Sequence, residues 1–503
     1  MKILMLGWEY PPHISGGLGT ACEGLTKALA RQGVEIDFIV PHLFGGEKAA
    51  HMQLFGAKNQ GLSHEPSATP GRVQSTQRQH QITERVLRLS QADGIHSPVD
   101  EPPVAIRTWR IPSYLSPYLK AGDPYAAWLD GQGKLLPKWS SSYLQHFFGE
   151  QMREVVERLP ELVRSMFLSA TGSDESGSHY SGNLMSEVGR YAAQVIKVVQ
   201  NRSYDVIHVH DWMTFPAGVA LKAITGLPLI VHVHSLEFDR SGENGNQQII
   251  EIEKLGLDFA DKVIAVSQYT KSLIHKIHGT ALDKIGVVHN GVYSPQTLAH
   301  YQEEKQISSK IVLFLGRVTF QKGPDYFVKA AARVVPHFPN VVFVMAGSGD
   351  MLPRMIEEVA AQGLQRNFLF TGFLKGKDVE RVFSMADLYV MPSVSEPFGI
   401  SALEAISYNT PVIISKQSGV SEVLNHALKV DFWDIDQMVN LIISVLRYPE
   451  LGQDMTAMAR EEVQRLRWDS SALTAITYYN EVVRREAEQE HYKTPRERQE
   501  LEL

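Results

Sequence analysis

The sequence predicts an α/β protein made of two successive doubly wound units, with helices at its C-terminal end. Three observations carry this. Short apolar runs of strand length recur, patterned for burial on both faces, as in residues 2–8 (KILMLGW). Segments of helical spacing alternate with them, which calls for parallel sheets. The alternation stops at a polar stretch, 294–309, and starts afresh at Lys310.

Taken in order, residues 2–8 form the first strand. A Pro/Gly-rich turn (PPHISGGLG) follows. Cys22, Leu25 and Leu29 then recur at helical spacing over 20–32, and Gly33 suits the end of that helix. Residues 34–40 are the second strand. From about 44 to 203 the order is interrupted by an insertion. No aromatic residue lies between Ala57 and Pro103. Residues 104–111 alternate like a strand, 141–167 and 186–200 are helical, and 169–182 is a polar loop. Strands are expected at 204–210, 229–234, 263–267 and 285–289, with helices at 214–225, 247–260 and 268–277. Together these give an N-terminal domain over 1–293. A second domain over 310–465 has strands at 310–316, 341–346, 368–372, 388–392 and 411–415, with helices between them. The chain is helical from 434 to about 490, and 466–490 is placed to cross back to the first domain. The charged residues after it (HYKTPRERQELEL) read as frayed.

Composition narrows the function classes. Of the 503 residues, 44% are hydrophobic and 21% charged, which excludes a disordered chain, a collagen-like repeat and a coiled-coil rod. Lys plus Arg is 49 and Asp plus Glu 56, for a net charge of −7. That balance gives no support for a nucleic-acid or membrane-surface partner. Cys22 is the only cysteine, so no internal disulfide forms. No run approaches the ~20 apolar residues of a membrane span, and the first apolar run is too short for a signal peptide. The expected location is cytoplasmic. Nothing in the sequence fixes the oligomeric state.

In doubly wound folds ligands bind beyond the carboxyl ends of strands, and with two such domains the cleft between them is the default site. Gly16, Gly17 and Gly19 precede the first helix, where a ligand can approach the backbone or the loop simply turns tightly. Two strands end in His208-Val209-His210-Asp211-Trp212 and His232-Val233-His234. Residues two apart share a strand face, so each pair either presents two imidazoles to one metal or acts as hydrogen-bonded spacers. Asp211 and His234 read as polar groups facing the cleft. Arg317 and Lys322 flank the end of the first strand of the second domain, and two cations there suit a diphosphate. Gly347, Ser348 and Gly349 form a turn after the next strand. Glu396 precedes a helix beginning near Gly399, and Glu404 lies within it in an otherwise apolar segment. The first N–H groups of that helix, at Phe398, Gly399 and Ile400, would meet an anion or sugar hydroxyls. Carboxylates accept from hydroxyls, which suits ribose and hexose.

In combination these motifs resemble the retaining GT-B glycosyltransferases, and among them the glycogen (starch) synthases and their family-four relatives. The motifs are W-E-Y-P-P…G-G-L-G at the start, H-D-W at 210–212, G-R…Q-K-G at 316–323, and E-x7-E from Glu396 to Glu404. The resemblance covers nearly the whole chain and is weakest over 44–203 and in the last 15 residues. It implies two Rossmann-like domains facing across a cleft. It also implies that Arg317 and Lys322 hold the donor diphosphate, that Glu404 binds the ribose and that Glu396 binds the transferred glucose. Gly17, Gly347 and Phe398–Ile400 would contact the donor. His234 would sit beside the reacting sugar, and Glu9, Asp211 and Trp212 on the acceptor side. Asn290 matches the family's asparagine before the interdomain linker. Ser15 stands where glycogen synthases carry the lysine of K-T-G-G-L, and Thr20 where an acidic residue is usual; both resemble family-four enzymes.

The expected activity is transfer of a sugar, with glucose first, from a nucleoside diphosphate donor such as ADP- or UDP-glucose to a saccharide such as an α-glucan. No metal and no further cofactor is implied. Readings from other classes are a zinc hydrolase built on the His-x-His pairs, a non-catalytic nucleotide-sugar sensor and a nucleotide-sugar epimerase.

Overall fold

The computed structural model describes residues 1–11, 17–41, 52–56, 106–110, 159–169, 182–199, 202–292 and 308–492. Most of the 44–203 insertion, residues 170–181 of the polar loop, nearly all of the 294–309 linker, Gly16 and the last eleven residues lie outside them.

The first sheet has eight parallel strands, in the order β3-β4-β2-β1-β5-β6-β7-β8. They are β1 (Lys2–Leu6), β2 (Glu35–Val40), β3 (Met52–Gly56), β4 (Ile106–Arg110), β5 (Val206–His210), β6 (Leu229–Val233), β7 (Lys262–Ala265) and β8 (Ile285–Val287). β5 and β6 are buried along their whole length, histidines included, as befits central strands of a parallel sheet. The second sheet has six parallel strands, in the order β11-β10-β9-β12-β13-β14. These are β9 (Ile311–Leu315), β10 (Val342–Ala346), β11 (Phe368–Gly372), β12 (Leu388–Met391), β13 (Val412–Ser415) and β14 (Leu428–Val430).

Three elements go beyond the expected ones. β3 falls inside the segment read as insertion, and pairs with β4 at the sheet edge. β14 and the short helix Glu237–Ser241 are each too brief to show a period of their own.

Both sheets are doubly wound, so strand order reverses beside the first strand of each. In the first sheet that point lies between β1 and β5, and in the second between β9 and β12. The loops leaving those strands diverge there and leave a crevice.

The helix Trp468–Tyr492 packs on the first unit, although it follows the second in sequence. Arg31 holds Asp469 through two hydrogen bonds of 3.0 and 2.7 Å. Trp468 and Tyr479 join the first unit's apolar core. Val292 N donates to the Leu466 carbonyl at 3.0 Å, so the segment leaving the first unit and the one returning to it lie side by side. Among the described residues, no helix is long and apolar enough to cross a membrane.

Candidate active site

The second sheet's switch point gathers the most chemistry. After β9, Gly316 and Arg317 leave the strand, and a single 3-10 turn (Phe320–Lys322) brings Lys322 back. After β12, the loop 393–399 carries Glu396. Val394 N donates to the Gln321 carbonyl at 2.9 Å, which ties the two loops together. Lys322 Nζ lies 2.5 Å from Glu396 Oε2, and Ser393 Oγ donates to the same oxygen at 3.0 Å. Arg317 Nη2 donates to Gln321 Oε1 at 3.1 Å. Two glycines are required by close approach. A Cβ on Gly347 (φ 148°) would lie 1.8 Å from the Gly316 carbonyl oxygen, and one on Gly323 (φ 63°) 2.1 Å from that of Pro392.

The helix Ile400–Ser407 starts at Gly399 (φ 109°) with no side-chain cap, so its first N–H groups are free to meet a ligand. Phe398 and Gly399 are buried, and Ile400 is half-buried. Glu404, half-buried on this helix, has its carboxyl pushed up to about 7 by burial.

On the first sheet, Asp211 follows β5 with φ 59°, a left-handed conformation that aspartate tolerates. Its Oδ1 accepts from His234 N at 2.7 Å and Ser235 N at 3.3 Å, so it ties the end of β5 to that of β6. Burial raises its pKa to about 6, against the pull of Arg240 at 3.9 Å and of those two N–H groups. Trp212 beside it is buried. Glu9 is buried too, and accepts from Gly19 N at 3.0 Å in the first turn of the helix Gly17–Arg31. Gly17 itself is exposed at that helix start. His234 is half-buried, and burial holds its pKa down at about 3. Asn290 is buried, two residues before Val292 N meets the Leu466 carbonyl.

The two units meet on the loop that carries Glu396. Ser395 Oγ donates to Asp239 Oδ1 at 2.5 Å, and Tyr269 OH lies 2.9 Å from Ser395 Oγ. Ser267 Oγ and Thr270 Oγ1 both donate to the Pro397 carbonyl, at 2.6 and 3.1 Å. Glu422 accepts from the first two N–H groups of the helix Gln268–His278 and from His289 Nε2. Sequence reasoning missed Ser393, Ser395, Asp239, Tyr269 and Glu422. Both serines stood in plain view in S-V-S-E; Ser393 meets Glu396 three positions on, but the partners of Ser395 lie more than 100 positions away. It also missed Phe373, exposed just past β11, where Gly372 accepts from Gly347 N at 2.8 Å.

Two parallel doubly wound sheets with a cation–carboxylate pair at one switch point define a GT-B protein. Comparison with known proteins agrees. The model for the starch synthase catalytic domain matches residues 2–95, that for glycosyltransferase family 4 matches 175–294, and that for glycosyl transferases group 1 matches 296–462. The chain is a glycosyltransferase of the GT-B type. It is 27% identical to the uncharacterized glycosyltransferase MJ1607 of Methanocaldococcus jannaschii, over 95% of this chain and 98% of that protein. It is 23% identical to a glycogen synthase of Mycobacterium tuberculosis, over 95% and 93%. In structure it is similar to sucrose-phosphate synthase from Thermosynechococcus elongatus, with a TM-score of 0.63 at 17% identity, over 96% of this chain and 98% of that one.

Proposed function

We propose that the chain transfers a hexose, glucose first, from a nucleoside diphosphate donor to a saccharide acceptor with retention of configuration. Elongation of an α-glucan is the leading reading. The observation that carries it is the Lys322–Glu396 pair at the second switch point, with Arg317 on the same loop as Lys322. A diphosphate entering there meets both cations and the uncapped start of the helix Ile400–Ser407. Leaving-group charge then develops against fixed donors, usually the largest catalytic contribution. When Lys322 turns to the phosphate, Glu396 is released to accept from sugar hydroxyls. Glu404 takes the ribose. His234 lies on the sugar's other side, and Asp211, Trp212 and Glu9 shape the acceptor side. Residues 1–293 would hold acceptor and 310–465 donor. The acceptor hydroxyl attacks on the face the diphosphate leaves, and a phosphate oxygen takes its proton. The sequence departures at Ser15 and Thr20 favour a second reading, a family-four enzyme acting on another polysaccharide or glycoconjugate.

A donor panel of ADP-, UDP- and GDP-sugars, scored for nucleotide release with a glucan, with other saccharide acceptors and with none, tests both. Release that depends on glucan supports the first reading. Release only with another acceptor supports the second. No release with any donor and acceptor rejects transfer.

A further inference from the structure

Beneath the cleft lie four histidines, of which the proposed reaction uses one. β5 and β6 pair in parallel with His210 opposite His232, and the alternation of each strand puts His208 beside His210 and His232 beside His234. The rings form one array, with centroids 4.4 Å apart for His208–His210 and 4.2 Å for His232–His234. Three hydrogen bonds run through it. His210 Nδ1 lies 2.9 Å from His234 Nε2, His208 Nε2 3.2 Å from His232 Nδ1, and His208 Nδ1 2.7 Å from Tyr479 OH. Nε2 of His210 and Nε2 of His232 are buried without a partner.

These distances favour hydrogen bonds over a shared metal. Two nitrogens bound to one tetrahedral zinc at ~2.0–2.1 Å stand about 3.4 Å apart. The His210–His234 pair is well inside that.

The proton positions then follow from satisfaction. Burial keeps all four rings neutral, so each carries one N–H. A buried N–H without an acceptor is rarer and costlier than a bare lone pair. The orphan Nε2 atoms are therefore the bare ones, and His210 and His232 carry their protons on Nδ1. His210 Nδ1–H donates to His234 Nε2, and His232 Nδ1–H donates to His208 Nε2. His208 in turn donates from Nδ1 to Tyr479 OH. His234, accepting at Nε2, keeps its own proton on Nδ1.

We propose that His210 is a positioning residue whose ring N–H fixes His234 in the Nδ1–H form, so that His234 meets the bound sugar as a hydrogen-bond donor and not as a base. The sugar as recipient rests on the transferase reading above; the tautomer does not. The His208–His232 pair and Tyr479 form a second, separate chain of hydrogen bonds, which meets the first through ring stacking alone.

Nitrogen-15 NMR of the full chain labelled at histidine reads the tautomer, since bare and protonated ring nitrogens resonate far apart. The His234 signals are those lost in His234→Gln. The expected result is a proton on Nδ1 in the wild type, a mixture of tautomers in His210→Leu, and the Nδ1–H form again in His210→Asn, whose amide N–H stands near the original donor. A wild-type His234 protonated at Nε2, or a His234 unaltered in His210→Leu, overturns the proposal. About one zinc per chain by elemental analysis overturns it too, because the rings would then be ligands. The spectra need no substrate, so their failure is distinct from failure of the transferase reading, which an inactive donor panel reveals. In transfer assays His210→Leu lowers kcat about tenfold with donor KM little moved, and His210→Asn recovers most of it. Equal loss in both variants, with folds intact, overturns the role assigned to the donated N–H.

Discussion

Lys322 and Glu396, 74 positions apart, meet at 2.5 Å across the gap between the loops leaving β9 and β12. Neither is held by its own strand. The pair exists because strand order reverses at β9 and leaves both loops facing one crevice. Before a ligand arrives, each charge serves as the other's counter-ion. Donor binding therefore exchanges one ion pair for two interactions, Lys322 with phosphate and Glu396 with the sugar.

From this exchange, Lys322→Ala should lower kcat/KM by about 10²-fold or more, the range for loss of one electrostatic stabiliser. It should also leave Glu396 with Ser393 as its partner, so Ser393→Ala should aggravate the loss. Steady-state kinetics on single and double variants with unchanged melting curves measures this. Wild-type turnover in Lys322→Ala would sink the assignment.

Phe373 gives a second expectation. It is exposed at the carboxyl end of β11, beside the turn at Gly347, and Lys375 Nζ stands 5.5 Å from its ring centroid. An exposed aromatic there offers a platform for the donor base, and stacking of a base on an aromatic ring is worth about 1–3 kcal/mol. Phe373→Ala should raise donor KM roughly tenfold with kcat little altered, whereas Phe373→Trp should hold it. Equal KM in all three proteins would mean that the base lies elsewhere.

How far the sequence exposed this site depends on the kind of information each part needed. Strands such as β9 and β10 are continuous apolar runs, so their period and length declare them. Arg317, Lys322, Glu396 and Glu404 sit in short local patterns around glycines and a helix start. β3 carries a strand pattern in M-Q-L-F-G, but surroundings without aromatic residues hid it. The Ser395–Asp239 and Glu422–Gln268 contacts leave no local trace, because they are chosen by how two separate units meet. The histidine pairs were visible as strand-face pairs. The inter-ring distances that favour hydrogen bonds between them over a shared metal are encoded by no spacing.

Contacts between the units predict a closure that can be weakened. Glu422 accepts from Gln268 N and Tyr269 N at 2.8 and 3.1 Å, capping a helix of the first unit from the second. A carboxylate at a helix N-terminus also meets the favourable end of the helix dipole. Glu422→Ala should loosen the approach of the loop 393–399 to the first unit. The expected outcome is a larger radius of gyration by small-angle scattering, reversed by saturating donor, and a donor KM raised several-fold. An unchanged radius in the variant would mean that Ser395, Ser267 and Thr270 suffice.

The two glutamates of the donor site should fail differently when removed. Glu404 is proposed to face the ribose, which nucleoside diphosphate and nucleotide sugar share; Glu396 is proposed to face the transferred sugar, which only the latter has. Glu404→Ala should therefore weaken binding of both ligands, and Glu396→Ala should spare the bare nucleoside diphosphate and reduce turnover. One hydrogen bond to a charged group is worth about 1.5–3 kcal/mol, so each loss should be roughly tenfold to hundredfold. Acidity supplies a second handle. Burial raises the Glu404 carboxyl from 4.5 to about 7, so the folded chain keeps a proton that the unfolded chain would release. Its contribution to stability is complete below about pH 4.5 and is lost as pH rises through about 7. The carboxylate that accepts from ribose hydroxyls gains population over that same upper range. Binding and stability thus respond to pH in opposite directions at this one residue. Nucleoside diphosphate affinity, followed by calorimetry from about pH 5.5 to 8, should rise more steeply in the wild type than in Glu404→Gln, whose amide does not titrate. Ionisation of the ligand's own phosphate is common to both proteins, so the difference between the curves isolates Glu404. Parallel curves would remove Glu404 from the ribose, and equal loss of nucleoside diphosphate affinity in both alanine variants would erase the division between ribose and sugar.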